Sequence, residues 1–310
     1  MYKLKCALQN YDWGQKGSDS LVARIFSANG GNVDENKRYA EYWMGTHING
    51  PSIVEFSSDE KVKLSDFMKE KYGSYDGLPF LFKVLSIKEP LSIQLHPDKQ
   101  MAEILHKEEP SHYKDPNHKP EMAIILSEMF EMFYGLLKMN DASELVKILL
   151  PYFNASQSEE FSKSCEVFLI DRTEESYKLF LKQLILLQEN EYKAVIKAIN
   201  DSFKELAKSL GNEFFALKIK LFKEFLVIFK EDRGLLFSMF MNYLLLKQGD
   251  FIFINANVPH AYIRGDCAEC MANSDNVIRL GLTSKFVDAT NFLKVYKILI
   301  FRYWIKSSTI

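Results

Sequence analysis

Cysteine is scarce in this chain. Four occur in 310 residues: Cys6, Cys165, Cys267 and Cys270. That is too few for a disulfide scaffold at this length and fits a reducing compartment. Cys267 and Cys270 form a lone CxxC, whereas a closed structural zinc site wants four such ligands. They read instead as two small residues flanking a strand. The N-terminal run Met1-Tyr-Lys-Leu-Lys-Cys-Ala-Leu-Gln9 lacks the apolar core of a signal peptide. Long hydrophobic runs are missing too. The strongest, residues 235–246 and 298–301, are too short to span a bilayer. Excess charge of either sign is absent: 39 basic against 41 acidic residues leave a net charge of −2. No global field then favours nucleic acid or a membrane surface, and an anionic substrate must be met by local cations. No internal repeat or low-complexity segment occurs. A cytoplasmic, monomeric protein acting on a small molecule is the expectation that remains.

What is present is ordinary for a globular protein, with 47% hydrophobic and 26% charged residues. The length allows two or three domains. The informative stretch is Leu91-Ser-Ile-Gln-Leu-His-Pro97. Side chains on a strand alternate faces, so Gln94 and His96 share one face about 7 Å apart, and Leu91, Ile93 and Leu95 share the other. Pro97 ends the strand because it has no N–H for the ladder. A polar pair on a buried face needs partners, and a metal ion is one. Glu121 opens another apolar strand over residues 122–126, and His260 follows Pro259 after a loop at 255–259. Gln, His, Glu and His are N/O donors suited to zinc. Each alone has a plainer reading as a hydrogen-bonded core or surface residue. Glu41 is a further marker: a carboxylate inside the apolar run Ala40-Glu-Tyr-Trp-Met-Gly-Thr-His47 is costly to bury unpaired.

Periodicity divides the rest. Residues 64–72 read as a short helix and 98–106 as another starting after Pro97. Residues 78–86 read as a strand, joined to 91–96 by a Glu89-Pro90 turn. From about Asn140 the period becomes helical. Asp141 with Glu144 resembles a capping box, and Pro151 stops that helix. Thr173 caps a second with Tyr177, Phe180, Leu181 and Leu184 on one face. A third runs from Tyr192 to Leu210, and a fourth through Phe214, Leu217, Leu221 and Phe225. Strands return at 243–246 and 251–254. The chain is therefore read as mainly β with an α-helical insertion over 140–232.

The run Tyr113-Lys-Asp-Pro-Asn-His-Lys-Pro-Glu121 resembles the signature of the type I phosphomannose isomerases. So do Asp12-Trp-Gly14, Ala40-Glu-Tyr-Trp-Met-Gly-Thr-His47 and Ser274-Asp-Asn-Val-Ile-Arg-Leu-Gly-Leu-Thr-Ser-Lys285. Tyr42 and Ile48 depart from the family's usual Leu and Pro without touching a ligand position. The resemblance covers roughly Tyr11 to Asp288. It implies a cupin-type jelly-roll β-barrel catalytic domain of residues 1–139 and 233–295, interrupted by the helical domain 140–232. It implies one zinc per chain held by Gln94, His96, Glu121 and His260. The reaction implied is mannose 6-phosphate to fructose 6-phosphate through an enediol, feeding carbohydrate metabolism and GDP-mannose synthesis. That chemistry needs a base, an electrophile for the oxygens, and cations for the phosphate. Lys119, Glu269 and Arg279 are the candidates for proton transfer, and Lys285, Tyr262, Trp13 and Glu41 for substrate contact.

One departure concerns the end of the chain. Family members continue past the equivalent of Lys285 into a second barrel, whereas residues 296–310 form only a short tail of one or two expected strands. Apolar surface is then expected to be exposed. The competing reading is a catalytically impaired cupin-like sugar-phosphate-binding protein. A third, an iron-dependent cupin oxygenase, leaves Lys119, Arg279 and Lys285 without a role.

Overall fold

Residues His260–Ala272 form one 13-residue strand to which both halves of the barrel are joined. The computed structural model describes residues 2–57, 60–73 and 77–297. In chain order the elements begin with strands β1 (Lys3–Lys5), β2 (Ala7–Gln9) and β3 (Gln15–Lys16) and helix α1 (Leu21–Ala28). Next come β4 (Arg38–Tyr39), β5 (Glu41–Met44), β6 (Ile53–Glu55), β7 (Lys61–Lys63) and α2 (Leu64–Tyr72). They are followed by β8 (Phe80–Ile87), β9 (Ile93–Leu95), α3 (Lys99–Glu108), β10 (Glu121–Ile125) and β11 (Met129–Leu136). A helical stretch then contains α4 (Met139–Phe153), α5 (Glu159–Asp171), α6 (Glu174–Leu186), α7 (Glu189–Asp201), α8 (Phe203–Ser209), α9 (Glu213–Phe229) and α10 (Gly234–Met239). The barrel resumes with β12 (Met241–Lys247), β13 (Phe251–Ile254), β14 (His260–Ala272) and β15 (Ile278–Gly281), and α11 (Ala289–Val295) follows.

The main sheet runs β12-β11-β14-β8-β5-β2, with β10 joining β14 to β13 and β9 joining β14 to β15. All these pairings are antiparallel. The first half of β14 pairs with β11 and β9, and the second half with β8 and β10. Between the halves sits Gly265 at φ +119°, where a Cβ would lie 2.8 Å from the Met129 carbonyl oxygen. Only glycine lets the strand bend there and serve both sides of the barrel. The fold is thus mainly β with a helical segment, as the periodicity predicts.

Period-two burial marks the strands. In β10, Glu121, Ala123 and Ile125 point inward while Met122 and Ile124 point out. On that outer face Phe82, Cys270, Met122 and Phe253 are cross-strand neighbours over β8, β14, β10 and β13. Phe82, Met122 and Phe253 remain 37%, 42% and 40% exposed, a contiguous apolar strip on the sheet. Cys267 is buried inside and Cys270 faces outward, so the CxxC lies within β14, not beside it, and its sulfurs point to opposite faces.

The helical segment differs in detail from its periodicity. Helix α4 begins at Met139 after Lys138, with no side-chain cap, so Asp141 falls in the first turn and Glu144 pairs with Lys147 at 2.6 Å. Pro151 does not stop α4. It sits in the last turn, and the helix runs on to Phe153. Helix α5 is additional to the sequence reading, capped by Ser158 and buried through Phe161, Cys165 and Phe168. The stretch from Tyr192 to Leu210 breaks into α7 and α8 at Ser202. Helix α10 is additional to the sequence reading and precedes β12, which contains the strand expected at 243–246. Thr173 caps α6 as expected, its hydroxyl accepting from Ser176 N–H at 3.2 Å. One apolar cluster joins α9 residues Phe222 and Phe225 to Phe133, Ile263 and Ile278 of the barrel. The helices therefore pack on the barrel through a shared core. Of the tail 296–310, only Tyr296 and Lys297 belong to the described residues, so the strands expected there lie outside them.

Candidate metal centre and active site

Gln94 is the middle residue of a row across three strands. His260 of β14 pairs with it on one side and Arg279 of β15 on the other. His260 is the first residue of β14, directly after the loop read at 255–259. Strand β10 brings Glu121 to the same interior. Its carboxylate oxygens lie 3.1 Å from His96 Nε2 and 3.5 Å from His260 Nε2. All three side chains are buried, and their candidate ligand atoms lie within 4.8 Å of one another.

The imidazole orientations are fixed from behind. His96 Nδ1 donates to the Asn276 carbonyl at 2.8 Å and His260 Nδ1 to the Val258 carbonyl at 2.9 Å. A carbonyl can only accept, so each proton is on Nδ1 and each Nε2 carries a lone pair. Both Nε2 atoms are buried with no hydrogen-bond partner. Burial pushes the His96 pKa down to about 4, although Glu121 opposes it, so the ring is neutral, the form that ligates. Burial opposes ionisation of Glu121, but the neighbouring groups, among them the Lys119 ammonium at 3.2 Å, hold its pKa well below the usual carboxylate range. Tetrahedral zinc with ligand bonds of about 2.1 Å places its donors roughly 3.4 Å apart. The separations of 3.1 and 3.5 Å match that spacing. Two aimed lone pairs and a carboxylate therefore fit a divalent zinc, and Gln94, which pairs with His260 in register, lines the same cavity.

The motif residues behind His96 lock into one another. Asn276 Nδ2 donates to the Asp115 and Asn117 carbonyls at 2.5 and 2.9 Å, and Ser274 Oγ donates to Asn117 O at 3.1 Å. Asp275 N–H donates to the Asp115 carboxylate at 2.9 Å. The 113–121 and 274–285 runs are thus two halves of one support.

The triad borders a cavity of about 480 Å³. Glu121 and His260 line it, as do Gln94, Lys119, Glu269, Arg279, Lys285, Tyr262, Trp13 and Glu41, whereas His96 does not line it and meets it through the Glu121 carboxylate 3.1 Å away. Lys119 Nζ is 3.2 Å from the Glu121 carboxylate. One wall is a buried charge cluster. Lys83 Nζ lies 3.4 Å from Glu41 and 3.7 Å from Glu269, and 5.0 Å above the Trp43 ring. Trp43 Nε1 donates to Glu41, and Tyr262 OH donates to Glu269 at 2.9 Å. Burial opposes the charge on Lys83, but Glu41 and Glu269 outweigh it and hold its pKa above the usual lysine value. Burial, and then the Glu121 charge, push the Glu269 carboxyl up to about 7.

Arg279 and Lys285 differ from Lys83. Both line the cavity, and among the described residues neither makes an ion pair. Burial lowers both pKa values, and Arg279 further lowers that of Lys285. Arg279 is half-buried and Lys285 exposed, and two cations without a carboxylate in an ion pair are an arrangement that can receive an anion. Lys83, Trp43, Tyr11 and Asp275 also line the cavity and were missed in the sequence. Lys83 carried the signal that marks Glu41, a lone charge inside an apolar strand. Phe229, at the end of α9, reaches the cavity from the helical segment with no local sequence sign.

Comparisons with known proteins agree. The family model for the phosphomannose isomerase type I catalytic domain matches residues 1–136. Mannose-6-phosphate isomerase of Homo sapiens is 38% identical over 303 residues, covering 93% of this chain and 71% of the relative. Mannose-6-phosphate isomerase 1 of Arabidopsis thaliana is 37% identical over 301 residues, covering 92% and 68%. A zinc-bound mannose 6-phosphate isomerase superposes with a TM-score of 0.78 at 29% identity, over 96% of this chain and 74% of that one. The Salmonella typhimurium enzyme bound to substrate (f6p) and zinc gives 0.78 at 28%, over 96% and 75%. With its buried His–Glu–His triad and the relatives' fold, this chain belongs to the type I phosphomannose isomerase family.

Proposed function

We infer that the chain is a zinc-dependent aldose–ketose isomerase that interconverts D-mannose 6-phosphate and D-fructose 6-phosphate. The observation that carries this reading is the convergence of His96, Glu121 and His260 beside a cavity that also holds Arg279 and Lys285 without carboxylate partners. A cavity of about 480 Å³ suits a single phosphosugar.

Gln94, His96, Glu121 and His260 would hold the zinc. When bound, the ion supplies Lewis-acid polarisation of the sugar carbonyl and charge stabilisation for the enediol. The protein's own groups do the remaining work. Lys285 and Arg279 bind the phosphate and orient the sugar. Lys119 and Glu269 are the acid–base pair that moves the proton between C1 and C2, with Arg279 the competing group. Tyr262 holds Glu269 by its hydroxyl, and Lys83 keeps Glu41 and Glu269 charge-compensated. Trp13 and Glu41 line the sugar side of the cavity.

Residues 1–139 with 233–295 act in this reading as the catalytic unit and 140–232 as the insertion. The protein works as a cytoplasmic monomer on a small phosphosugar, without nucleic acid or membrane. Its net charge of −2 and its free cysteines favour this, and among the described residues no helix is long and apolar enough to cross a membrane.

The test is a coupled assay for fructose 6-phosphate formed from mannose 6-phosphate by the zinc-loaded chain. Turnover that vanishes with a chelator and returns with zinc is expected. Folded, zinc-loaded protein that binds mannose 6-phosphate but never turns it over would leave the sugar-phosphate-binding alternative.

A further inference from the structure

The segment carrying Lys285 is held from two directions, and one of them is the helical insertion. Asp232 lies between α9 and α10. Its Oδ1 accepts the Leu282 N–H at 2.6 Å and the Gly234 N–H at 2.7 Å, and its carboxylate also accepts the Thr283 N–H. The two backbones touch at this point. A Cβ on Gly281 would lie 2.5 Å from Gly234 N and 2.6 Å from Asp232 Oδ1. Leu282 is held at φ +54°, a left-handed conformation that a leucine adopts only at a cost. The next three residues, Thr283, Ser284 and Lys285, line the cavity. The far end of the segment is tied elsewhere: Asp288 N–H donates to the Arg279 carbonyl at 2.9 Å, and Tyr113 OH donates to the Asp288 carboxylate at 2.6 Å.

A half-buried carboxylate that accepts three backbone N–H groups, with no cationic side chain in an ion pair among the described residues, is a backbone organiser. We propose that Asp232 is a positioning residue for anion recognition: it sets the turn at Gly281–Thr283 so that Lys285 and the Thr283 and Ser284 hydroxyls face the phosphate end of the sugar. Through this carboxylate the helical insertion controls substrate affinity at a site on the barrel. The proposal rests on the reading of Lys285 as a phosphate-binding group.

The experiment compares Asp232→Ala, Asp232→Asn and Lys285→Ala in the zinc-loaded full chain. It reads KM and kcat for mannose 6-phosphate, Ki for inorganic phosphate, zinc content and Tm. A loop shift of the order of 1 Å is enough for an effect of about ten-fold or more. Asp232→Ala is expected to raise KM and the phosphate Ki about ten-fold, with kcat within about two-fold and zinc unchanged. The amide oxygen of Asp232→Asn has two lone pairs and serves at most two of the three N–H groups, so a rise of about three-fold is expected. Should Asp232→Ala fail to fold, Asp232→Asn decides. A lower Tm with KM and Ki unchanged shows a purely structural role and overturns the proposal. A Lys285→Ala variant with unchanged KM and Ki removes the phosphate reading and the proposal with it, whereas a Lys285 effect without an Asp232 effect removes the proposal alone.

Discussion

Replacing Lys83 by Met removes the cation that pairs with both Glu41 and Glu269 while nearly keeping the side chain's volume. The ammonium lies 3.4 and 3.7 Å from the two carboxylates, and all three groups are buried. At an effective dielectric constant of about 20, each contact amounts to about 4–5 kcal/mol of attraction before desolvation is subtracted. Lysine desolvation is relieved in the variant, but two carboxylates are left uncompensated. Removal of one partner from a buried ion pair costs about 3–5 kcal/mol net. At roughly 2 °C per kcal/mol for a chain of this length, Tm should fall by about 6–10 °C. The loss should depend on pH. The folded-state pKa of Glu269 is already raised from 4.5 to about 7, and Lys83 opposes that rise. For an acid whose folded pKa lies above its unfolded one, the native state holds the extra proton, so stability falls as pH climbs through that window. Without Lys83 the folded pKa moves higher and the window widens. The destabilisation should therefore be larger at pH 8.5 than at pH 5.5. Urea unfolding of the chelator-treated variant and parent at both values measures it. A difference under about 1 kcal/mol at pH 8.5, or one equal at both pH values, would falsify the view that Lys83 neutralises a buried carboxylate pair.

Three further outcomes follow from the geometry. His260→Ala and Gln94→Ala should lose zinc by elemental analysis, whereas Lys285→Ala should keep it. Retained zinc in His260→Ala would remove this residue from the ligand set. Lys218 is fully buried under Phe133, its ammonium donating to the Ser238 and Met241 carbonyls, and burial lowers its pKa from 10.5 to about 7. Between those values the unfolded chain binds a proton that the folded chain does not. The parent should therefore gain stability relative to Lys218→Met by up to about 1.4 kcal/mol per pH unit above pH 7; parallel stability profiles from pH 7 to 10 would contradict this. Glu269→Gln should lower kcat by at least about 100-fold with zinc retained, the usual range for a lost acid–base group. A kcat within ten-fold of the parent would leave Lys119 or Arg279 to move the proton.

Of the candidate metal ligands, only Gln94 and His96 carried a local signal, standing two apart in an apolar strand. Glu121 and His260 were singled out by the family resemblance, because no spacing links residues so far apart in the chain. The helices of the insertion were legible where apolar spacing was clean, as for α6 with its Thr173 cap. Helix α5 carries the same signal at Phe161, Cys165 and Phe168, behind a Ser158 cap that was overlooked. Pro151 misled because a proline in a last turn leaves most of the preceding hydrogen bonds intact.

The sequence alone therefore determined which residue types were available for chemistry, where the period changes from strand to helix, and which family motifs the chain carries. Only the tertiary structure decided which charges meet. Lys83 and Glu269 are far apart in the chain, yet they are direct neighbours in the β8–β14 register. Asp232 meets Leu282 because two glycine backbones allow the insertion to touch the barrel. Strand register and helix docking are set by burial of apolar faces contributed by distant segments, and no local pattern encodes the distance between two side chains that such burial brings together.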